Sequence, residues 1–125
     1  MPYDYQIDKN ERYVFVKGWG KIEPDDLLRH FEQLFEEPSL PIQFRQLVDL
    51  RKVTAYNIFF KDAQDFKDIC NRYKKKIEGA RIAVVADTDN IFGISRMMEA
   101  ITNDVINIRS FKDMDQAKKF LDKVN

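Results

Sequence analysis

Residues 80 to 86 read ARIAVVA, a short, near-continuous apolar run rich in Val and Ile. A strand with one wet face alternates apolar and polar residues, so a run that is apolar on both sides reads as a strand buried on both faces of a parallel sheet. Parallel neighbours cannot be joined by a tight turn; they need a crossover of a dozen or more residues, usually a helix. This one segment therefore asks for a helix before it, a helix after it and cover on both sides of its sheet.

The flanking sequence supplies those helices. Upstream, Asn57 is placed to cap a helix carrying Phe59, Ala63, Phe66, Ile69, Cys70, Tyr73 and Ile77 on one face and ending near Gly79. Downstream, the spacing predicts a helix from about Asp89 to Asn103 with Ile91, Ile94, Met97, Met98 and Ile101 inward. Strands are predicted at Phe44 to Leu50 and Val105 to Phe111. A further helix from about Glu23 to Glu37 opens on Pro24, Asp25 and Asp26 and buries Leu27, Leu28, Phe31, Leu34 and Phe35. Asp113 and Gln116 form a capping-box pattern for a last helix through Ala117, Phe120, Leu121 and Val124. At the N-terminus, Tyr3, Tyr5 and Ile7 alternate with Asp4, Gln6 and Asp8 ahead of RYVFVKG, the pattern of an antiparallel hairpin whose first strand is an edge.

The expected fold is thus a single α/β domain over residues 1–125 of order ββαβαβαβα, a five-stranded, mixed, mostly parallel sheet with four helices. If each crossover returns to the adjacent strand, successive helices land on one face of the sheet. The other face then needs its own cover, because Tyr13 with Phe15 and Val14 with Val16 make both sides of their strand apolar. A homodimer is the expected cover. A first or last helix folded over that face is the competing solution.

Charge and rare residues narrow the function. Lys plus Arg balance Asp plus Glu at 21 each, so no net field draws the chain to nucleic acid, and no such partner is expected. Cys70 and His30 are the only residues of their kinds, which excludes an internal disulfide and predicts no metal and no cofactor. Cys70 falls mid-stripe on its helix and is expected to be a slow, buried thiol; His30 flanks the first helix's stripe as a boundary residue. The four glycines form neither a GxGxxG nor a phosphate-binding loop, which disfavours nucleotide hydrolysis. No apolar run approaches the roughly 20 residues of a membrane span, and the acidic opening MPYDYQIDKNE is unlike a signal peptide, so a cytoplasmic location is expected.

In open α/β sheets ligands collect beyond the carboxyl ends of the strands. The loops there bring forward Trp19, Arg51, Tyr56, Asp87 and Asp89 as partner- or ligand-binding candidates, with Lys52, Asn90 and Lys112 nearby. Gly18 and Gly20 are expected to permit a turn. Phe92 and Arg96, one helical turn apart, both point away from the Ile and Met face and suit a contact surface. The basic run Arg72, Lys74, Lys75 and Lys76 reads as a solvated helix end.

LVDLR at 47–51, RIAVVADTDNIFGISRMMEA at 81–100 and IRSFKDMDQAKKFL at 108–121 resemble the SpoIIAA-like branch of the STAS domains, a group related to the lipid-binding SEC14 (CRAL-TRIO) domains. Anti-sigma-factor antagonists of that branch carry a switch serine in a pattern like DLSxVxxxDSSGL. The matching stretch here is DLRKVTAYNIFF: Asp49, Leu50, Val53 and Thr54 fit, but the Asp-Ser-Ser-Gly positions are Asn57, Ile58, Phe59 and Phe60. The resemblance implies a non-enzymatic regulatory or protein-interaction module without that phosphorylation switch. A small-molecule or lipid-binding domain for an apolar ligand is the alternative, and an enzyme of unrecognised type is a distant third.

Overall fold

The computed structural model describes residues 2–123. Strand β1 (Tyr3–Asp8) pairs antiparallel with β2 (Tyr13–Ile22), and β3 (Arg45–Tyr56), β4 (Arg81–Val85) and β5 (Asn107–Phe111) follow in parallel. Spatial order equals chain order, β1-β2-β3-β4-β5. The helices are α1 (Pro24–Phe35), α2 (Phe60–Arg72), α3 (Lys74–Ile77), α4 (Asp89–Thr102) and α5 (Met114–Asp122). The expected second helix is split at Tyr73 into α2 and α3, so there are five helices rather than four.

Because every crossover steps to the next strand, α1, α2 and α4 share one face. Their buried residues, among them Leu27, Phe31, Phe66 and Met98, form one cluster with Val14, Val16, Val48, Ile82 and Ile108 of the sheet. Its centre is aromatic: Phe31 meets Phe66 with ring centroids 4.6 Å apart, and His30 stacks on Tyr3 at 4.4 Å. His30 is therefore core and not a boundary residue, 2% exposed, and burial holds its pKa down at about 4. Cys70 is fully buried on α2, and desolvation pushes its thiol up to about 12.

The opposite face carries a second, smaller cluster: Leu47, Ala83 and Val85 of the sheet under Ala117 and Leu121 of α5. Asp113 starts that helix by accepting from the Asp115 amide at 2.9 Å. Val124, expected on the same stripe, lies outside the described residues. Of the two covers expected for this face, the last helix supplies one, over β3 to β5.

Strand β3 differs most from expectation. It runs on to Tyr56, six residues past the predicted end, while β4 stops level with Asp49. Beyond that level β3 pairs only with β2, and two register shifts carry the pair from Lys17/Asp49 to Ile22/Tyr56. Gly18 and Gly20 therefore sit inside a strand, not at a turn. A Cβ on Gly18 would lie 2.9 Å from Leu50, and Gly20 holds φ +66° at a shift, a conformation only glycine adopts freely. The result is a two-stranded ribbon projecting from the carboxyl end of the sheet.

Candidate functional site

The ribbon and the start of α5 enclose a groove on the α5 side of the sheet, about 310 Å³ in volume. Alternation along β2 sets Phe15, Lys17 and Trp19 on that face, and one helical turn sets Met114 and Lys118 on the facing side of α5. Strand β3 contributes Asp49, Arg51 and Lys52. Arg51 is a fixed fork: its Nε donates to Asp49 Oδ1 at 3.0 Å and a terminal nitrogen to Oδ2 at 2.9 Å. Burial alone would raise the Asp49 pKa, but Arg51's hydrogen bonds and charge, aided by Lys17, bring it below the ordinary value. Asp49 is therefore ionised and already partnered. Asp87, exposed on the loop after β4, adds to the electrostatic hold on Arg51.

A second group of candidates meets at the start of α4. Phe92 is half-buried, with Lys112 Nζ 5.2 Å and the Arg96 guanidinium 6.0 Å from its ring centroid, and Lys112 also pairs with Asp89. Arg96 lies 3.7 Å from Glu99, whose carboxylate accepts from the Ser110 amide of β5. These cations are spoken for by neighbours, which is the arrangement of a packed helix end.

Tyr56 stands apart from both groups. Its side chain is 6% exposed and its hydroxyl donates to Met98 Sδ at 3.6 Å, so this candidate belongs to the core. Burial pushes its phenol up to about 12. With Tyr3 and Ser95 it lines an internal cavity of about 20 Å³ between the sheet and the three helices, room for about one water.

Two features escape a sequence reading. Phe59, counted on the inward stripe of the second helix, is 69% exposed, and Phe60 beside it is 59% exposed. The helix starts one residue after Phe59, whose backbone is extended (φ −116°, ψ 176°), so the helical wheel does not apply to it. The α2 start is closed by Asp62, which accepts from the Phe59 amide at 2.9 Å, while Asn57, the expected cap, donates to Glu23 Oε1 at 3.0 Å and ties the loop after β3 to the start of α1. Lys118 and Met114 were also not foreseeable beside Trp19, because 95 residues separate Trp19 from Met114 and only the docking of α5 joins them.

Among the described residues no group of three or more His, Cys, Asp or Glu side chains is arranged to hold a metal ion, and no helix is long and apolar enough to cross a membrane. No protein-family model and no curated protein matches the chain. Among solved structures, the chain is similar to an uncharacterised protein of the DUF3478 family with a SpoIIAA-like fold from Shewanella loihica PV-4. The two are 15% identical, with a TM-score of 0.60 over 95% of this chain and 93% of the other. That likeness establishes the SpoIIAA-like fold.

Proposed function

We propose that this SpoIIAA-like domain is a non-enzymatic regulatory module that docks a protein partner through the carboxyl end of its sheet. The observation that carries the reading is the pair Phe59 and Phe60, exposed side by side at the start of α2. They are two of the four large hydrophobics that the described surface exposes, and both follow closely on the end of the projecting ribbon. Adjacent exposed aromatics are unfavourable in water and are the usual mark of a contact site. In the family pattern that DLRKVTAYNIFF resembles, this helix start carries the serine switch; here it offers apolar rings and no hydroxyl at 57 to 60. Partner release by phosphorylation at those positions is thus no part of the proposal.

Two further facts favour docking over the alternatives. The cavity on the helix side holds about one water, far below the several hundred Å³ that a small-molecule pocket needs, so a lipid-type ligand has no preformed place there. His30 and Cys70, the residues best suited to acid–base or nucleophilic work, are buried with pKa values that keep the imidazole neutral and the thiol protonated near pH 7.

Photo-crosslinking tests the reading. A benzoylphenylalanine placed at position 59 should give one discrete protein adduct in cells, and the same group at exposed Ile42, at the other end of the sheet, should not. Adding Phe60→Asp should abolish the adduct. Identical patterns from positions 59 and 42, or a stoichiometric lipid retained in native mass spectrometry of the purified chain, would overturn it. The same spectrum reports oligomeric state, and with α5 seated over β3 to β5 on the second face we expect a monomer.

A further inference from the structure

The groove between β2, β3 and α5 has a composition that protein docking at Phe59 and Phe60 does not use. Its lining is apolar at Phe15, Trp19 and Met114 and cationic at Lys17, Lys52 and Lys118. Counting Arg51, the lining carries four cations against one carboxylate, Asp49, a net charge of +3. Among the described residues, Lys17, Lys52 and Lys118 form no ion pair, whereas Arg51 is already held by Asp49. Three unpaired like charges around one hollow repel one another, and an anion placed among them relieves that repulsion.

We infer that this groove is a binding site for a small organic anion with a flat apolar body, an aryl phosphate or aryl carboxylate. Its volume, about 310 Å³, lies at the lower end of the range for small-molecule sites. Trp19 and Phe15 supply aromatic surface for a planar group, and Lys17 and Lys52 from the sheet with Lys118 from α5 supply cations for a charged end. The two hydrogen bonds from Arg51 pair the charge of the ionised Asp49, which lessens its opposition to an anion. The size of the hollow favours a small molecule over a peptide. A larger hollow at the amino ends of the strands, about 690 Å³, has no aromatic floor and is lined by charges of both signs.

Trp19 is the only tryptophan in the chain, so its emission reports directly on the groove. Titration with phenyl phosphate in low salt should shift or quench that emission saturably. Phenol and inorganic phosphate, each carrying half of the required chemistry, should bind at least about tenfold more weakly. The double variant Lys52→Gln/Lys118→Gln should lose about tenfold or more in affinity, and raising the salt to physiological strength should weaken binding of the unaltered chain. Both lysines are exposed, so the variant keeps the fold, and its circular dichroism and midpoint should match the parent's. A non-saturable titration, equal binding by phenol, or unchanged affinity in the double variant would overturn the site. Binding of an acidic peptide without any binding of phenyl phosphate would overturn the small-molecule assignment. None of these outcomes touches Phe59 or Phe60, so the docking proposal stands or falls separately.

Discussion

On one side of the sheet three helices press Phe31, Phe35 and Phe66 against Val16, Val48 and Ile82, whereas on the other a single nine-residue helix sets Ala117 and Leu121 over Leu47, Ala83 and Val85. The difference follows from connectivity. Three crossovers that each step to the adjacent strand deliver three helices to one side, and the far side is left to whatever chain follows the last strand. Strands lie about 4.8 Å apart and packed helices about 10 Å, so one helix cannot span all five strands. One is present. It covers β3 to β5 and leaves Tyr13, Phe15 and Trp19 of β2 beside an open strip, which is where the groove forms. The thick layer holds the fold, and the thin layer leaves surface for binding.

Equal damage to the two layers is the strongest way to break this comparison. Phe66→Ala, in the fully buried aromatic centre, should cost about 4 kcal/mol, and Leu121→Ala under the thin layer about 2 kcal/mol, because a lone short helix can settle into the space left. Urea midpoints at unchanged slope measure both. Equal losses would show that α5 is as rigidly packed as the three-helix side.

The second prediction belongs to the thick layer alone. An unfolded imidazole titrates near 6.5, and His30 in the fold near 4, because burial disfavours its charge. The folded value is depressed, so its full stability is present above about pH 6.5 and is lost as pH falls toward and below 4, where the unfolded chain takes up the proton first. The loss is roughly 3 kcal/mol. Subtracting the profile of His30→Phe, which cannot titrate, isolates this contribution from the carboxylates. Parallel profiles for the two proteins between pH 6.5 and 4 would mean that the ring is accessible.

Smaller effects sharpen the picture. Gln46, wholly buried on the helix side level with Val14 and Ile82, has no protein partner for either amide atom. Desolvating an amide without a hydrogen bond is costly, so Gln46→Leu should stabilise the domain by about 1 to 2 kcal/mol. A destabilised variant would place a bonding partner at that amide. Smallest of all is Gly93→Ala. Gly93 lies inside α4 with nothing within 4 Å of an added Cβ, and the gain should be about 0.5 to 1 kcal/mol, read as a small rise in thermal midpoint.

Local sequence accounts for the order of the strands, the edge position of β1, most of the buried stripes of α1 and α2 and the mostly parallel sheet, though not for the break at Tyr73 that divides α2 from α3. Those depend on periodicity and end signals carried within a dozen residues: alternation at Tyr3, Tyr5 and Ile7, Pro24 with its acids, the apolar run at 80 to 86. Tertiary structure decided what depends on one element meeting another. It extended β3 to Tyr56 because β2 was there to pair with it, and it drew His30 into the core by stacking it on Tyr3. It also turned Phe59 outward by starting α2 one residue later than the stripe implied. Above all it chose the side for α5. No strand follows α5 in the described chain to fix its side, so its docking rests on apolar contacts with residues far away in sequence and on Arg45 and Arg81, which reach the Asp122 carboxylate and the Phe120 carbonyl, and those contacts bring Met114 and Lys118 beside Trp19.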